Sequence, residues 1–262
     1  MNEKQTCVSI ITVVYNAVSA IEETILSIIS QSYTNFEYII IDGGSTDGTI
    51  DIIKKYDKQI STWISETDNG IYDAMNKGID LATGEWINFM NAGDSFYESD
   101  TIEKFVKLYD NQSDIVYGKS QIFSDAGIYI NNPMPLSAEN YLPTCHQAFF
   151  VKTDLLKSAH FDTKYKICAD RKFFYDAYKM KRKFQYIPLI ICNYEDVNGF
   201  SSTNYLKRFA EIGTIEKTCN TTMWKIEYAL LILKYYIKKL IPQNIIVEIH
   251  KRKLNKTLKD KL

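Results

Sequence analysis

Apolar residues in the first hundred positions follow two alternating patterns. Val8–Val14 and residues 38–41 are mainly apolar runs bounded by turn residues, which is typical of strands buried on both faces of a parallel sheet. Isoleucines at 21, 25, 28 and 29 recur at helical spacing instead. Further strands are predicted at Thr62–Ser65 and 86–90. This β-α-β-α-β order predicts a mainly parallel central sheet with right-handed crossovers and flanking helices.

The regular alternation ends near residue 115. Short strands are predicted at 115–117, 127–130, 148–151, 184–187 and 189–193, and a helix at Ala169–Lys179. Two further helices are predicted at 205–217 and 223–240, and Pro242 ends the second. The chain is therefore predicted to contain one α/β domain over residues 1–202, followed by a helical extension over 203–262.

Turn residues mark two helix starts. Ser19 and Glu22 have the spacing of a capping box, in which each side chain accepts a hydrogen bond from the other residue's backbone N–H. Asp47 is placed to cap a helix that begins near Thr49. Gly43, the first of two adjacent glycines, lets the backbone turn sharply and approach a bound group.

Charge is unevenly distributed along the 262 residues. The composition, 45% hydrophobic and 24% charged, is that of a folded globular protein. Residues 1–202 have a formal charge of −9 and residues 203–262 one of +8, which together leave −1. The basic extension either meets an anionic partner, such as a membrane surface or a polyphosphate, or is a solvated helix that offsets the acidic body.

The sequence favours an intracellular, reducing environment. No apolar run reaches the ~20 residues that span a bilayer, and the polar N-terminus has no signal-peptide core. The five cysteines form no CxxC pair. We therefore expect a cytoplasmic protein with reduced thiols.

Three aspartates stand at or just after the carboxyl ends of predicted parallel strands. They are Asp42, Asp68 and Asp94. Ligands of open α/β sheets bind at this edge, and carboxylates there suit a divalent cation together with sugar or ribose hydroxyls. No GxGxxG or GxxxxGK[ST] motif is present, which disfavours a dinucleotide-binding fold and a P-loop.

Four segments, in order along the chain, resemble the inverting GT-A glycosyltransferases of family 2. They are residues 8–16, 41–49, 70–78 and 89–94. The resemblance covers about residues 7–202 and is close to the branch that builds bacterial surface polysaccharides. It implies a Rossmann-like GT-A fold and a glycosyltransferase of the hexosyltransferase type. The expected reaction moves a sugar, with inversion, from a nucleoside-diphosphate donor such as a UDP-sugar to a saccharide or lipid-linked saccharide.

The resemblance also implies which residues bind the donor. The nucleotide-sugar half would comprise about residues 1–118, and the acceptor half about 119–202. Lys77 would face the diphosphate; the alternative is a surface ion pair with Asp73, four residues away on the same helix. The full set of expected donor-binding residues is Thr12, Val13, Tyr15, Asn16, Asp42, Asp68, Lys77, Asn91 and Ala92.

The segment 91–94 occupies the place of the family's Asp-x-Asp element, which binds Mn²⁺ or Mg²⁺. This chain departs from the pattern, because Asn91 and Gly93 replace the usual aspartates and Asp94 alone keeps a carboxylate. Mg²⁺ can bind through one or two carboxylates with phosphates and waters. Asp94 is therefore the expected metal ligand; the alternative is a strand-end turn in which Gly93 supplies the special dihedral angles.

Acceptor binding and the catalytic base are implied in the second half. His146 and Gln147 resemble the family's His-Gln segment beside the acceptor, and Ser201 lies in a segment that resembles a nearby loop. Asp170 falls where the family has its catalytic base. A carboxylate can accept the proton that the attacking sugar hydroxyl loses. The alternative for Asp170 is a helix N-cap, worth ~1 kcal/mol.

The extension bears on location and partners. Aromatic residues and lysines are mixed over 223–240, a composition that can lie in a membrane interface. Family members often use lipid-linked acceptors, so we expect a cytoplasmic enzyme or one peripheral on the inner face of the cell membrane. A helical hairpin that packs on the body or forms a contact in a homo-oligomer is the alternative.

Other functional classes stay open. Because the Asp-x-Asp element is eroded, the chain could bind a sugar nucleotide without transferring it. A nucleotidyltransferase is disfavoured, since no Gly-rich basic loop follows Val14. No motif supports nucleic-acid binding.

Overall fold

The computed structural model describes residues 6–124, 127–133, 135–137, 141–195 and 203–240. They belong to two compact units, the first containing 6–195 and the second 203–240. The expected boundary between 202 and 203 borders residues 196–202, which lie outside the described residues. None of the five cysteines forms a disulfide in the structure.

Nine strands of the described residues form one sheet. They are β1 (Val8–Val14), β2 (Phe36–Asp42), β3 (Thr62–Ser65), β4 (Trp86–Phe89), β5 (Ser95–Phe96), β6 (Ile115–Ser124), β7 (Gly127–Asn131), β8 (Phe149–Lys152) and β9 (Phe184–Glu195). Their order is β3-β2-β1-β4-β8-β6-β9-β5, with β7 paired to β6. The first four of these neighbours are mutually parallel, whereas β8 runs antiparallel to both β4 and β6. The carboxyl ends of β1 to β4 therefore lie along one edge.

Helices cover both faces of this sheet. They are α1 (Ile21–Ile29), α2 (Thr49–Lys55), α3 (Ile71–Leu81), α4 (Thr101–Leu108), α5 (Thr153–Ala159) and α6 (Ala169–Lys179). Alternate residues of β1 point to opposite faces, as the two-residue period of a strand requires. Ile10 packs in the core that α1, α2 and α4 cover, and Ile11 in the core that α3, α5 and α6 cover.

The predicted parallel sheet with flanking helices is confirmed, and β1, β3 and α6 have the predicted bounds. The capping box at Ser19 is wrong. Helix α1 begins without a side-chain cap, because the amides of Ala20 and Ile21 both donate to the Ala17 carbonyl at 3.0 Å. Asp47 does accept a hydrogen bond from the Thr49 amide at the start of α2, at 3.0 Å, as the sequence predicts.

Elements in the second half are less regular than predicted. Helix α5 was not predicted, and neither was the two-residue strand β5 in the first half. The two strands expected at 184–187 and 189–193 are one continuous strand, β9. Pro188 cannot donate to a ladder, and it lies where the register between β6 and β9 shifts.

The second unit contains two helices near the predicted positions, α7 (Tyr205–Ile215) and α8 (Thr222–Leu240). Rings of the two helices pack together, with Phe209 stacked on Trp224 and Tyr228 at centroid distances of 5.5 and 5.8 Å. Among the described helices, none has both the length and the hydropathy needed to cross a bilayer.

Candidate active site

Asp42 is held at the carboxyl end of β2 by hydrogen bonds to one of its oxygens. The Oδ2 atom accepts from the amides of Gly44 and Ser45, at 3.1 and 2.9 Å, and from the Ser65 hydroxyl at 2.6 Å. The carboxylate is fully buried, and its Oδ1 has no hydrogen-bond partner among the described residues. Because an unpaired buried acceptor costs free energy, Oδ1 is the oxygen that a ligand donor would satisfy.

Asn16 joins the loop after β1 to the loop after β2. Its amide donates to the Ser45 hydroxyl at 2.7 Å, and its side-chain oxygen accepts from the Thr46 amide at 2.9 Å. Its backbone has φ 47°, a left-handed value that asparagine tolerates better than most residues. A second link runs from the Val18 amide to Asp47, at 3.0 Å. These bonds fix the rim around Asp42.

Tyr15 and Asp68 flank Gly43 at the same edge. A Cβ atom at position 43 would lie 2.5 Å from Asp68 Oδ2 and 3.3 Å from the Tyr15 ring, so only glycine fits without a shift. The Asp68 Oδ1 atom accepts from the Gly70 amide at 2.8 Å. Tyr15 is 65% exposed, which leaves an aromatic face free to stack on a planar group.

Lys77 of α3 reaches back over the loop after β3. Its Nζ lies 2.7 Å from Glu66 Oε1 and 3.4 Å from the Thr67 carbonyl oxygen. The hydrogen bond to Glu66 raises the pKa of Lys77, so the amine stays cationic. The partner considered from the sequence, Asp73, instead accepts from the Asn69 amide at 2.9 Å. Lys77 is therefore tethered beside Asp68 rather than along its own helix.

Thr12 and Val13 contribute mainly to the strand end itself. Thr12 is fully buried, and its hydroxyl donates to the Met90 carbonyl at 2.7 Å. Val13 is 5% exposed, and its carbonyl oxygen accepts from the Ala92 amide at 3.3 Å. These bonds attach the turn after β4 to β1.

The turn Asn91–Asp94 has the geometry that Gly93 permits. Gly93 has φ +100°, a left-handed value that favours glycine. Thr24 of α1 fixes the turn by accepting from the Gly93 amide at 3.0 Å and donating to the Asp94 carbonyl at 2.7 Å. The turn is thus attached to α1 as well as to β1.

Asp94 points into the protein and meets Gln147. The Gln147 amide nitrogen donates to Asp94 Oδ2 at 2.6 Å, and the two residues are 7% and 2% exposed. Burial raises the pKa of Asp94 to about 7, although the Gln147 hydrogen bond and nearby His146 oppose this change. The Gln147 Oε1 and Asn91 Oδ1 atoms are buried without a partner among the described residues. Hydrogen-bond acceptors therefore outnumber hydrogen-bond donors around this turn.

Asp170 is connected to the same turn through His146. The Asp170 Oδ2 atom lies 3.3 Å from His146 Nδ1, and His146 Nε2 lies 3.0 Å from the Asn91 amide nitrogen. The other carboxylate oxygen, Oδ1, accepts from the Tyr72 hydroxyl at 2.8 Å and the Arg171 amide at 2.7 Å. The start of α6 is thereby attached both to α3 and to the end of β4.

The Asp170–His146 pair stabilises its charged forms against burial. Burial raises the pKa of Asp170, but hydrogen bonds and charge from His146, together with the Tyr72 hydroxyl, outweigh it and leave the pKa below its ordinary value. Burial lowers the pKa of His146, but Asp170 outweighs it and leaves that pKa raised. A carboxylate that stays ionised can accept a proton from a bound hydroxyl.

The structure brings most of the expected residues to one edge in two groups. Asp42, Asp68, Tyr15, Asn16 and Lys77 surround the loops after β1 to β3. The second group, around the turn after β4, contains Asn91, Ala92, Asp94, His146, Gln147 and Asp170. Ser201 lies outside the described residues.

Two contacts of the site were not predicted, one made by Tyr72 and one made by Gln147. Tyr72 is 6% exposed and would be taken for a core residue of α3, yet its hydroxyl contacts Asp170. Its position inside the segment 70–78 was the only available signal. The hydrogen bond from Gln147 to Asp94 was also not predicted, and the acceptor role of Gln147 stays a prediction.

Comparison with known proteins identifies the family. The model of Glycosyl transferase family 2 matches residues 9–168. A PGL/p-HBAD biosynthesis glycosyltransferase of Mycobacterium bovis is 32% identical over 212 residues, covering 77% of this chain and 81% of the relative. An uncharacterized glycosyltransferase of Haemophilus influenzae is 41% identical over 100 residues, covering 37% of this chain and 40% of the relative.

Solved structures share the fold at low sequence identity. S. aureus TarS matches with a TM-score of 0.63 at 20% identity; the match covers 79% of this chain but only 39% of TarS. Mannosyltransferase PcManGT from Pyrobaculum calidifontis, in complex with GDP-Man and Mn²⁺, matches with a TM-score of 0.63 at 17% identity, over 94% of this chain and 79% of that one. The chain belongs to family 2 of the glycosyltransferases and is a glycosyltransferase with the GT-A fold.

Proposed function

We propose that this glycosyltransferase moves a sugar from a UDP-sugar to a hydroxyl of a saccharide or lipid-linked saccharide, with inversion, in surface polysaccharide biosynthesis. The observation that carries the proposal is the contact chain from Asp170 through His146 to Asn91. It joins the expected base to the strand end where the donor diphosphate is expected. A base and a leaving group on opposite sides of one sugar are what single displacement requires.

The donor would lie across the loops after β1 to β3. The unpaired Oδ1 of Asp42 suits the N–H of a uracil ring, and the exposed ring of Tyr15 suits its flat face. Asp68 is an acceptor for ribose hydroxyls. TarS has been solved with UDP-GlcNAc, at 19% identity and a TM-score of 0.63, which supports a nucleotide-sugar donor. Lys77 offers positive charge where the diphosphate leaves.

A divalent cation fits this site with few protein ligands. Among the described residues, no group of three or more His, Cys, Asp or Glu side chains is arranged to hold a metal. The candidate donors are the Asp94 carboxylate and the unpaired amide oxygens of Asn91 and Gln147, all hard oxygens. When bound with the diphosphate, Mn²⁺ or Mg²⁺ would supply positive charge for the leaving group. The Mn²⁺ complex of PcManGT supports this expectation.

Asp170 would perform the proton transfer. Its ionised carboxylate accepts the proton of the acceptor hydroxyl as that oxygen attacks the anomeric carbon from the face opposite the diphosphate. Tyr72 and the Arg171 amide hold one carboxylate oxygen in place, and His146 holds the other. Proton transfer to Asp170 would neutralise the carboxylate and weaken its pairing with His146. The pKa of His146, which Asp170 raises, would then fall.

The charge of the extension supports the proposed acceptor class and location. Residues 203–262 have a formal charge of +8, which suits an anionic bilayer surface and a lipid-linked acceptor. We place the enzyme in the cytoplasm, at the inner face of the membrane. Flotation with anionic vesicles tests this placement, and full-length protein that stays unbound at low salt contradicts it.

One observation favours a second candidate function. Asn91 and Gly93 leave Asp94 as the only carboxylate in the Asn91–Asp94 turn, which suits sugar-nucleotide binding without efficient transfer. A thermal-shift panel of nucleotides and nucleotide-sugars, with and without Mn²⁺, identifies the donor. Incubation with that donor and a saccharide acceptor then separates the candidates. Binding without transfer or hydrolysis favours the second.

Asp170→Asn tests the assigned base. We expect a loss of turnover of about 10²- to 10⁴-fold, with donor-induced stabilisation retained. Asp176→Asn is the matched control, because Asp176 lies on the same helix and pairs with Lys172 instead. Near wild-type turnover in Asp170→Asn would remove Asp170 from this role.

A further inference from the structure

Helix α8 has apolar side chains on two opposite faces, and α7 covers one of them. On the covered face, the rings of Trp224 and Tyr228 stack with Phe209, and Tyr235 packs edge-on against Tyr205 at 5.9 Å. These three residues of α8 are half-buried. The hairpin of α7 and α8 therefore already has a core of its own, and the other face of α8 is not needed for it.

The opposite face of α8 has an exposed apolar stripe with alternating spacings of three and four residues. Its exposed fractions run from 46% to 68%. Apolar residues at this spacing occupy the a and d positions of a heptad, which form the seam between two helices. We call these residues the outer seam; they are Met223, Ile226, Leu230, Leu233 and Ile237.

Two opposite charges flank the outer seam on the same side. Glu227 and Lys234 are seven residues apart, so they occupy successive e positions if Met223 is at position a. Both side chains are exposed, and no ion pair between them is present in the structure. In an antiparallel helix pair, a residues face d residues of the other helix, and e residues meet across the seam. The e positions therefore select the register.

We propose that α8 pairs antiparallel with α8 of a second copy of this chain, along the outer seam. Placing the two-fold axis between Leu230 and Leu233 sets Glu227 opposite the partner's Lys234, twice by symmetry. Placing it one layer earlier, between Ile226 and Leu230, sets Glu227 against its own copy. Placing it one layer later, between Leu233 and Ile237, sets Lys234 against its own copy. Of these three registers, only the first pairs unlike charges.

The charges also distinguish a second copy from a lipid surface. A bilayer imposes no heptad spacing on an apolar stripe, and an anionic bilayer repels an acidic side chain beside that stripe. Glu227 lies on the border of the outer seam, and among the described residues only the antiparallel pair gives it an oppositely charged partner. A parallel pair sets e positions opposite g positions, where Ala229 and Thr222 offer no charge.

Sedimentation velocity of the full-length chain at low salt tests the pairing. We expect a concentration-dependent rise from 30.3 kDa towards twice that mass. Glu227→Lys and Lys234→Glu should each weaken self-association about tenfold, because each replaces two attractive pairs with two repulsive ones. The double variant should restore wild-type association, since it rebuilds both pairs with the signs exchanged.

Three results would overturn the proposal. The first is a chain that stays monomeric at every concentration. The second is a double variant that associates no better than the single variants. The third is binding to anionic vesicles that rises in Glu227→Lys and falls in Lys234→Glu while the mass in solution does not change, which would assign the outer seam to a membrane. All positions changed are exposed, and circular dichroism confirms that each variant is folded.

Discussion

Tyr72→Phe removes the buried hydroxyl that contacts the proposed base. The Tyr72 hydroxyl lies 2.8 Å from Asp170 Oδ1 and 2.9 Å from the Ile167 carbonyl oxygen, and the phenylalanine ring keeps the packing. A hydrogen bond to a charged group contributes about 1.5–3 kcal/mol. For a domain of this size, we expect the melting temperature at neutral pH to fall by about 4–10 °C.

The loss of stability should depend on pH. The hydroxyl stabilises ionised Asp170, whose pKa in the folded protein is lowered by His146 and Tyr72 despite burial. A carboxyl group with a lowered folded pKa adds stability above its unfolded pKa, and that stability is lost as pH falls through the folded pKa. The gap between wild type and Tyr72→Phe should therefore narrow on acidification. The acid limb of the transferase profile should move to higher pH in the variant.

Tyr33→Phe provides the matched control. The Tyr33 hydroxyl is also buried, but it donates to the neutral Thr6 carbonyl at the amino end of β1, away from the site. Its removal should cost stability by an amount that does not follow the charge of Asp170, and should leave the acid limb in place. If Tyr72→Phe gives a constant gap across pH and an unshifted acid limb, Tyr72 does not act on the charge of Asp170.

Three other substitutions probe neighbouring contacts. Asn91→Asp should raise the pKa of His146 further, because a second carboxylate would then face the imidazole; an unchanged histidine NMR titration contradicts this. Burial raises the pKa of Asp94 to about 7, so the folded state keeps a proton that the unfolded chain loses near pH 4. The free energy of unfolding therefore decreases as the pH rises from about 4 to about 7. Asp94→Asn should therefore stabilise the metal-free protein at pH 8, by on the order of 1–4 kcal/mol in chemical denaturation with chelator, while Mn²⁺ no longer improves donor binding. Gly78→Ala should lower the unfolding free energy by about 1–3 kcal/mol, because its Cβ would lie 2.5 Å from Ile11 Cγ2; a gain in stability would mean that the helix moves to make room.

The parallel half of the fold could be predicted because its strands are buried on both faces. Val8–Val14 is buried throughout, so its apolar run is visible without knowledge of its neighbours. Helix α5 was missed because its seven residues contain only two buried side chains, too few for a helical period. The continuity of β9 across Pro188 depends on pairing with β6, which no local pattern contains.

The site was predictable where function depends on residues next to each other in sequence. Asp42, the loop after it and the Asn91–Asp94 turn each follow a recognisable strand. Contacts that join distant segments were not predictable: Tyr72 meets Asp170 across 98 positions, and Gln147 meets Asp94 across 53. Both partners are hydrogen-bonding side chains that look like core or loop residues until the fold brings them together.

The replacement of the usual first aspartate by Asn91 has a physical consequence for the base. With its side-chain nitrogen 3.0 Å from His146 Nε2, Asn91 places an uncharged amide against an imidazole whose Nδ1 faces Asp170. An aspartate here would compete with Asp170 for the proton of the same ring and add negative charge near Asp94, which burial already disfavours. The amide therefore leaves the imidazole to Asp170 alone. The turn therefore has one carboxylate fewer with which to bind a cation, but His146 pairs with a single carboxylate, that of Asp170.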